Sequence, residues 1–173
     1  MTTVILTAYG SDRPGLVQTV ADAVHGCGGN WLESHLSRLG GMFVGSILVD
    51  IPEERLGLLK DRLRGSGEKG LTVMVVPAPA AQEAPSGPLM VLDIIGQDRP
   101  GIIREVTAVL AEHGVNIQEI ETELSNSPWS GEKLFKARAE LEMPEGLGTD
   151  RLRQALERLS GEIMVDVALK QAE

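Results

Sequence analysis

"GSDRPGLV", Gly10–Val17, returns 86 positions later as "GQDRPGII", Gly96–Ile103. A motif that recurs at such a distance asks first for a test of internal repetition. At the same offset Val20 falls on Val106, Val24 on Leu110, Gly28 on Gly114, Asn30 on Asn116 and Glu33 on Glu119. An insertion around "SNSPWSGEK" in the second copy raises the offset to 92, and Phe43, Pro52, Val73 and Val75 then fall on Phe135, Pro144, Val165 and Val167. The repeat therefore spans whole domains, expected over residues 1–76 and 89–173. Between them "PAPAAQEAPSGP", residues 77–88, has the proline and alanine content of an extended linker.

Each copy reads alike in secondary structure. "TVILTAYG" and "LMVLDIIG" are short, rich in β-branched residues and closed by glycine, which predicts strands. Val17, Val20 and Val24, and likewise Ile103, Val106 and Leu110, recur at helical spacing up to Gly28 and Gly114, where a terminating glycine belongs. "NWLESHLSRL" and "MFVGSILVDIP" flank Gly40-Gly41 and read as a hairpin. In the second copy "LFKARAELEMP" alternates Phe135, Ala137, Ala139, Leu141 and Met143 with Lys136, Arg138, Glu140 and Glu142, so one face is buried and the other is wet. A second helix carries Leu56, Leu59 and Leu63, matched by Leu152, Ala155 or Leu156, and Leu159. The last strands are "LTVMVV" and "IMVDVAL". The order per repeat is strand, helix, strand, strand, helix, strand. The expected fold class is α+β, as two tandem ferredoxin-like βαββαβ units, each a four-stranded antiparallel sheet with both helices on one face.

The first copy breaks the alternation. In "MFVGSILVDI" the face opposite Phe43, Ile47 and Val49 presents Met42, Val44 and Leu48, where the second copy has charges. A doubly apolar strand is expected to be covered, by the other repeat or by a second chain, and a homodimer is the expectation.

Composition narrows the function classes. With 42% hydrophobic residues, 173 residues suffice for one or two cores. Neither a bilayer-length apolar run nor the basic start and cleavage site of a signal peptide is visible, and the single Cys27 suits a reducing compartment, so a cytoplasmic location is expected. Cys27 reads as a buried structural thiol. Residues 1–80 carry 7 Lys or Arg against 8 Asp or Glu, and residues 81–173 carry 9 against 17, giving −1 and −8 of the total −9. Duplex DNA is bound through a basic footprint, so direct nucleic-acid contact is disfavoured. His25, His35 and His113 lack a paired nucleophile or metal-ligand spacing, and no phosphate loop or nucleophile elbow occurs. No enzyme, metal or cofactor is expected.

The repeated corner has two readings. Asp12 before Arg13 and Pro14 is placed to cap the helix, with Pro14 in its first turn and Gly15 keeping that turn bare. On that reading Asp-x-Pro-Gly is only a strand-to-helix corner. The same corner also aims helix N-terminal amides outward, as a carboxylate-sized anion requires, with Arg13 and Arg99 adding charge. Asn30 and Asn116, at the start of the next strand, are expected close by, offering donors and acceptors to an α-amino acid.

The "G-x-D-R-P-G" corner, the helical valines, "H/C-G-x-N" and the βαββαβ order resemble the ACT domain, a small regulatory module that binds amino acids. The stretch "DRPGLVQTVADAVHGCGGNWLESHLSRLGGMFVG", and two such modules in tandem, are similar to the family of glycine cleavage system transcriptional repressors. The resemblance implies ligand binding at Asp12, Arg13, Pro14, Gly15 and Leu16 with Asn30, and at Asp98, Arg99, Pro100, Gly101 and Ile102 with Asn116. It also implies glycine-dependent contact with a partner transcription factor, without a DNA-binding domain. The rival expectation is an interaction module that builds a dimer and binds no small molecule.

Overall fold

A computed structural model of the chain describes residues 1–79, 87–126 and 131–172. The chain divides into two units between Gln82 and Glu83. The expected linker falls largely on residues 80–86, and the core of the second-copy insertion on residues 127–130; both lie outside the described residues.

The first unit runs β1 (Thr2–Ser11), α1 (Leu16–His25), β2 (Asn30–Leu39), β3 (Met42–Ile51), α2 (Leu56–Gly65) and β4 (Leu71–Pro77). The second repeats it as β5 (Leu89–Gln97), α3 (Ile102–Glu112), β6 (Asn116–Asn126), β7 (Lys133–Glu142), α4 (Thr149–Ile163) and β8 (Val165–Gln171). Every pairing is antiparallel, and the sheet orders are β2-β3-β1-β4 and β6-β7-β5-β8. This is the ferredoxin-like arrangement the sequence predicts. The β2–β3 register closes Leu39 on Met42 across Gly40-Gly41, both at positive φ, as a two-residue hairpin turn requires.

Each core lies between the helices and one face of its sheet. In the first unit Val4, Leu6 and Ala8 of β1 and Phe43, Ile47 and Val49 of β3 meet Leu16, Val20 and Val24 of α1 and Leu59 and Leu63 of α2. The second unit packs Leu92, Ile94, Ala139 and Leu141 against Ile102, Val106, Leu110, Leu152 and Leu156. Burying such side chains contributes roughly 1.5–3 kcal/mol each. Cys27 is buried in the first core.

The helical stripes keep Val20, Val24, Val106 and Leu110 in the core as expected, and differ only in their first position. Leu16 and Ile102 are buried at 3% and 2% exposure, whereas Val17 is 44% exposed. At 100° per residue Leu16, Val20, Ala23 and Val24 cover about 100° of the helix circumference, and Val17 lies just beyond the edge of that stripe. Both sheets also carry a bulge at the same place, between Trp31 and Glu33 in β2 and between Ile117 and Glu119 in β6. The extra residue resets the alternation, leaving Trp31 against the core and Glu33 opposite Leu48.

The outer faces of the sheets differ. In the first, Ile5 lies between Leu48 and Val76, and Tyr9 between Val44 and Thr72. In the second, Asp93 is held by Arg138 at 3.6 Å and Lys170 at 3.2 Å, and Lys136 by Glu123 at 3.3 Å.

Candidate functional site

The two corners are built alike. After β1, the Asp12 amide donates to the Gly41 carbonyl at 3.2 Å, and after β5 the Asp98 amide donates to Lys133 at 2.9 Å. These bonds carry the β1–β3 and β5–β7 pairings one residue past the strand ends before the chain leaves the sheet. Gly15 and Gly101 then occupy the N-cap position with φ of 93° and 99°, a left-handed conformation that a side chain disfavours. Their carbonyls accept the first helical amides, from Thr19 at 2.9 Å and Glu105 at 3.0 Å. Leu16 and Ile102 anchor the helix start in the core, which fixes the direction of its remaining N-terminal amides.

This corrects the expected role of Asp12. Neither helix has a side-chain cap, and each begins one residue after the glycine, so Pro14 and Pro100 precede the cap and lie outside the first turn. The Asp12 carboxylate instead pairs with Arg38 Nε of β2 at 3.3 Å. The cap geometry belongs to glycine because the tight exit from the sheet demands positive φ there.

The asparagines are also displaced from their expected place. Asn30 pairs in register with Asp50, which pairs with Thr3 near the start of β1, whereas the corner follows Ser11 at the end of β1. Asn116 pairs with Glu142, opposite Leu89 at the start of β5. At about 3.3 Å per residue, the eight steps from Thr3 to Ser11 put Asn30 roughly 26 Å along the sheet from the corner. The helix runs back antiparallel to β1, so the strand after it starts at the far end. Thus the structure brings together Asp12, Arg13, Pro14, Gly15 and Leu16, and separately Asp98, Arg99, Pro100, Gly101 and Ile102, without Asn30 or Asn116.

Above the glycines the corners diverge. A β-carbon built on Gly15 would meet no heavy atom within 4 Å beyond its chain neighbours. One built on Gly101 would lie 3.5 Å from Glu105 Oε1 and 3.8 Å from Arg99 Nη1. Arg99 donates to both carboxylate oxygens of Glu105, Nη1 reaching Oε1 at 3.4 Å, and to the Pro100 carbonyl at 3.1 Å. Both side chains are about one-third exposed. Residue 19, at the position equivalent to Glu105, is threonine, and its hydroxyl donates to the Gly15 carbonyl at 3.0 Å. Arg38 and Glu105 escaped the sequence reading. Glu105 was within reach of it, because the 86-residue offset lays it directly on Thr19.

Chemically, each corner offers oriented amides and the positive end of a helix dipole, which favour an anionic group. Among the described residues, no group of three or more His, Cys, Asp or Glu is placed to hold a metal ion. Among the described residues, no helix is long and apolar enough to cross a membrane.

Family models described as ACT domain match residues 2–76 and 90–135. The glycine cleavage system transcriptional repressor of Escherichia coli (strain K12) is 31% identical over 117 residues, 67% of this chain and 62% of that protein. The chain thus matches about three-fifths of the length of that curated relative. A crystal structure of an unknown protein from Galdieria sulphuraria superposes with a TM-score of 0.87 at 30% identity, covering 99% of both chains. A putative glycine cleavage system transcriptional repressor superposes with a TM-score of 0.75 at 17% identity, covering 99% of this chain and 98% of that one.

Proposed function

The chain belongs to the ACT-domain family, and on that premise we propose that it is a non-catalytic cytoplasmic regulator that senses a small amino acid, glycine first among the candidates. The ligand binds at the strand-to-helix corner of residues 12–16 and its counterpart of residues 98–102, its carboxylate on the helix-start amides. Its effect passes to genes of amino-acid metabolism through a protein partner; the name of the Escherichia coli relative, a transcriptional repressor of the glycine cleavage system, supports the transcriptional part of this reading. The observation that carries this reading is the left-handed glycine at the start of α1 and again of α3, which leaves the helix-start amides clear of a β-carbon. The acidic total of −9 supports a protein partner over direct DNA contact.

Thermal melts in the presence of each of the twenty amino acids test the reading. A ligand that binds only the folded chain raises its stability by about 2.7 kcal/mol at a hundredfold excess over Kd, which gives a Tm rise of several degrees. No rise with any amino acid rejects it.

One observation favours a second reading, an interaction module without a small-molecule ligand. The outer face of the first sheet exposes Met42, Met74 and Val76 and carries a cavity of about 220 Å³ lined in part by Ile5, His35, Ser46 and Leu48. Such a face suits a homodimer contact. Light scattering that shows a monomer at micromolar concentration would remove that support.

A further inference from the structure

We infer that Glu105 is the specificity-determining residue of the second corner: its carboxylate stands in for that of a ligand, so that an amino acid binds more weakly there than at the first corner. The inference rests on the reading that these corners take an amino-acid carboxylate, and it says which of the two takes it more tightly.

Three observations carry it. First, Glu105 and Arg99 form a two-pronged pair, with Nη2 bonded to Oε2 and Nη1 3.4 Å from Oε1. A planar guanidinium engaged on both prongs has spent the geometry with which it would grip an incoming carboxylate. Second, Glu105 Oε1 would lie 3.5 Å from a β-carbon on Gly101, so the carboxylate overhangs the glycine at the helix start. Third, α3 has this acidic residue in its first turn whereas α1 has none, so the dipole of α3 is answered from within the chain. At the first corner the equivalent Thr19 turns its hydroxyl back onto Gly15, and the space over Gly15 is open.

A tethered carboxylate competes at an effective concentration in the millimolar range, without losing the freedom that a dissolved ligand loses. A free amino acid must displace it from Arg99 before it can bind. An exposed pair of this kind is worth at most about 1 kcal/mol, so the expected handicap of the second corner is up to about fivefold in affinity.

The test is calorimetric titration of the full chain with glycine, serine and alanine, on wild type, Glu105→Thr, Glu105→Gln and Thr19→Glu. Melting curves of each variant verify that it folds. Wild type is expected to bind at two sites that differ up to about fivefold in affinity. Glu105→Thr should bring the weaker site level with the stronger, Glu105→Gln should bring it part of the way, and Thr19→Glu should weaken the stronger site up to about fivefold. Heat with Glu105→Thr alone would overturn the inference, because the unaltered first corner would then bind nothing. Two equal sites in wild type, or a stronger site that Thr19→Glu leaves untouched, would overturn the inference while leaving amino-acid binding standing. No heat from wild type or any variant would overturn the corner-binding reading, and this inference with it.

Discussion

The two strand-to-helix corners share Asp-Arg-Pro-Gly and nearly the same glycine φ, 93° and 99°, yet one glycine looks onto open space and the other onto a paired glutamate. The shared motif therefore specifies backbone: a strand end, a left-handed glycine and a helix start anchored by Leu16 or Ile102. What distinguishes the corners chemically lies outside the motif, four residues past the glycine, where one copy has Thr19 and the other Glu105. A repeat can preserve its architecture exposed to one selection of side chains in one copy and a different one in the other. The sheets say the same, since equivalent strands leave an apolar outer face in the first unit and an ion-paired one in the second.

Three substitution experiments probe how far the likeness extends. The largest effect is expected from the glycines. Gly15→Ala and Gly101→Ala each place a β-carbon at positive φ and should cost about 1–2 kcal/mol, read from urea or thermal unfolding. Because the two φ values match, the losses should match; a neutral substitution at either would break the structural likeness.

Asp12→Ala should do less. A helix cap replaced by alanine loses about 1 kcal/mol, but Asp12 makes a surface pair with Arg38, whose side chain is 71% exposed. The expected loss is no more than about 0.5 kcal/mol by the same unfolding measurement. A loss of about 1 kcal/mol or more would restore the capping role.

Asn30→Ala and Asn116→Ala should do least, leaving amino-acid affinity within about twofold of wild type in calorimetry, since a hydrogen bond to a charged ligand is worth roughly tenfold or more and neither side chain is near a corner. A tenfold loss in either would show that an asparagine reaches a bound ligand.

The architecture was legible because its signals are local and doubled. Gly40-Gly41 marks a hairpin by itself, the alternation from Phe135 to Met143 marks a half-buried strand, and each element is repeated at a fixed offset. The site was less legible because it depends on chain direction. Asn30 follows the helix closely in sequence, but α1 carries the chain back along the sheet, so sequence proximity becomes spatial separation. Asp12 has the strongest local preference for a cap, yet the tight corner passes that position to Gly15. The bulges after Trp31 and Ile117 left no pattern to read, because a single extra residue in a strand resembles ordinary irregularity.

The central claim is that an amino acid docks at the start of α1. Backbone-amide nuclear magnetic resonance during a glycine titration tests it most directly, because the amides of residues 15–18 are the groups the ligand carboxylate would engage. The account predicts saturable shifts concentrated at Asp12–Thr19, weaker ones at the second corner, and none at Asn30 or Asn116. Shifts absent from residues 12–19 at saturating glycine, or confined to Ile5 and Leu48 on the outer sheet face, would contradict it.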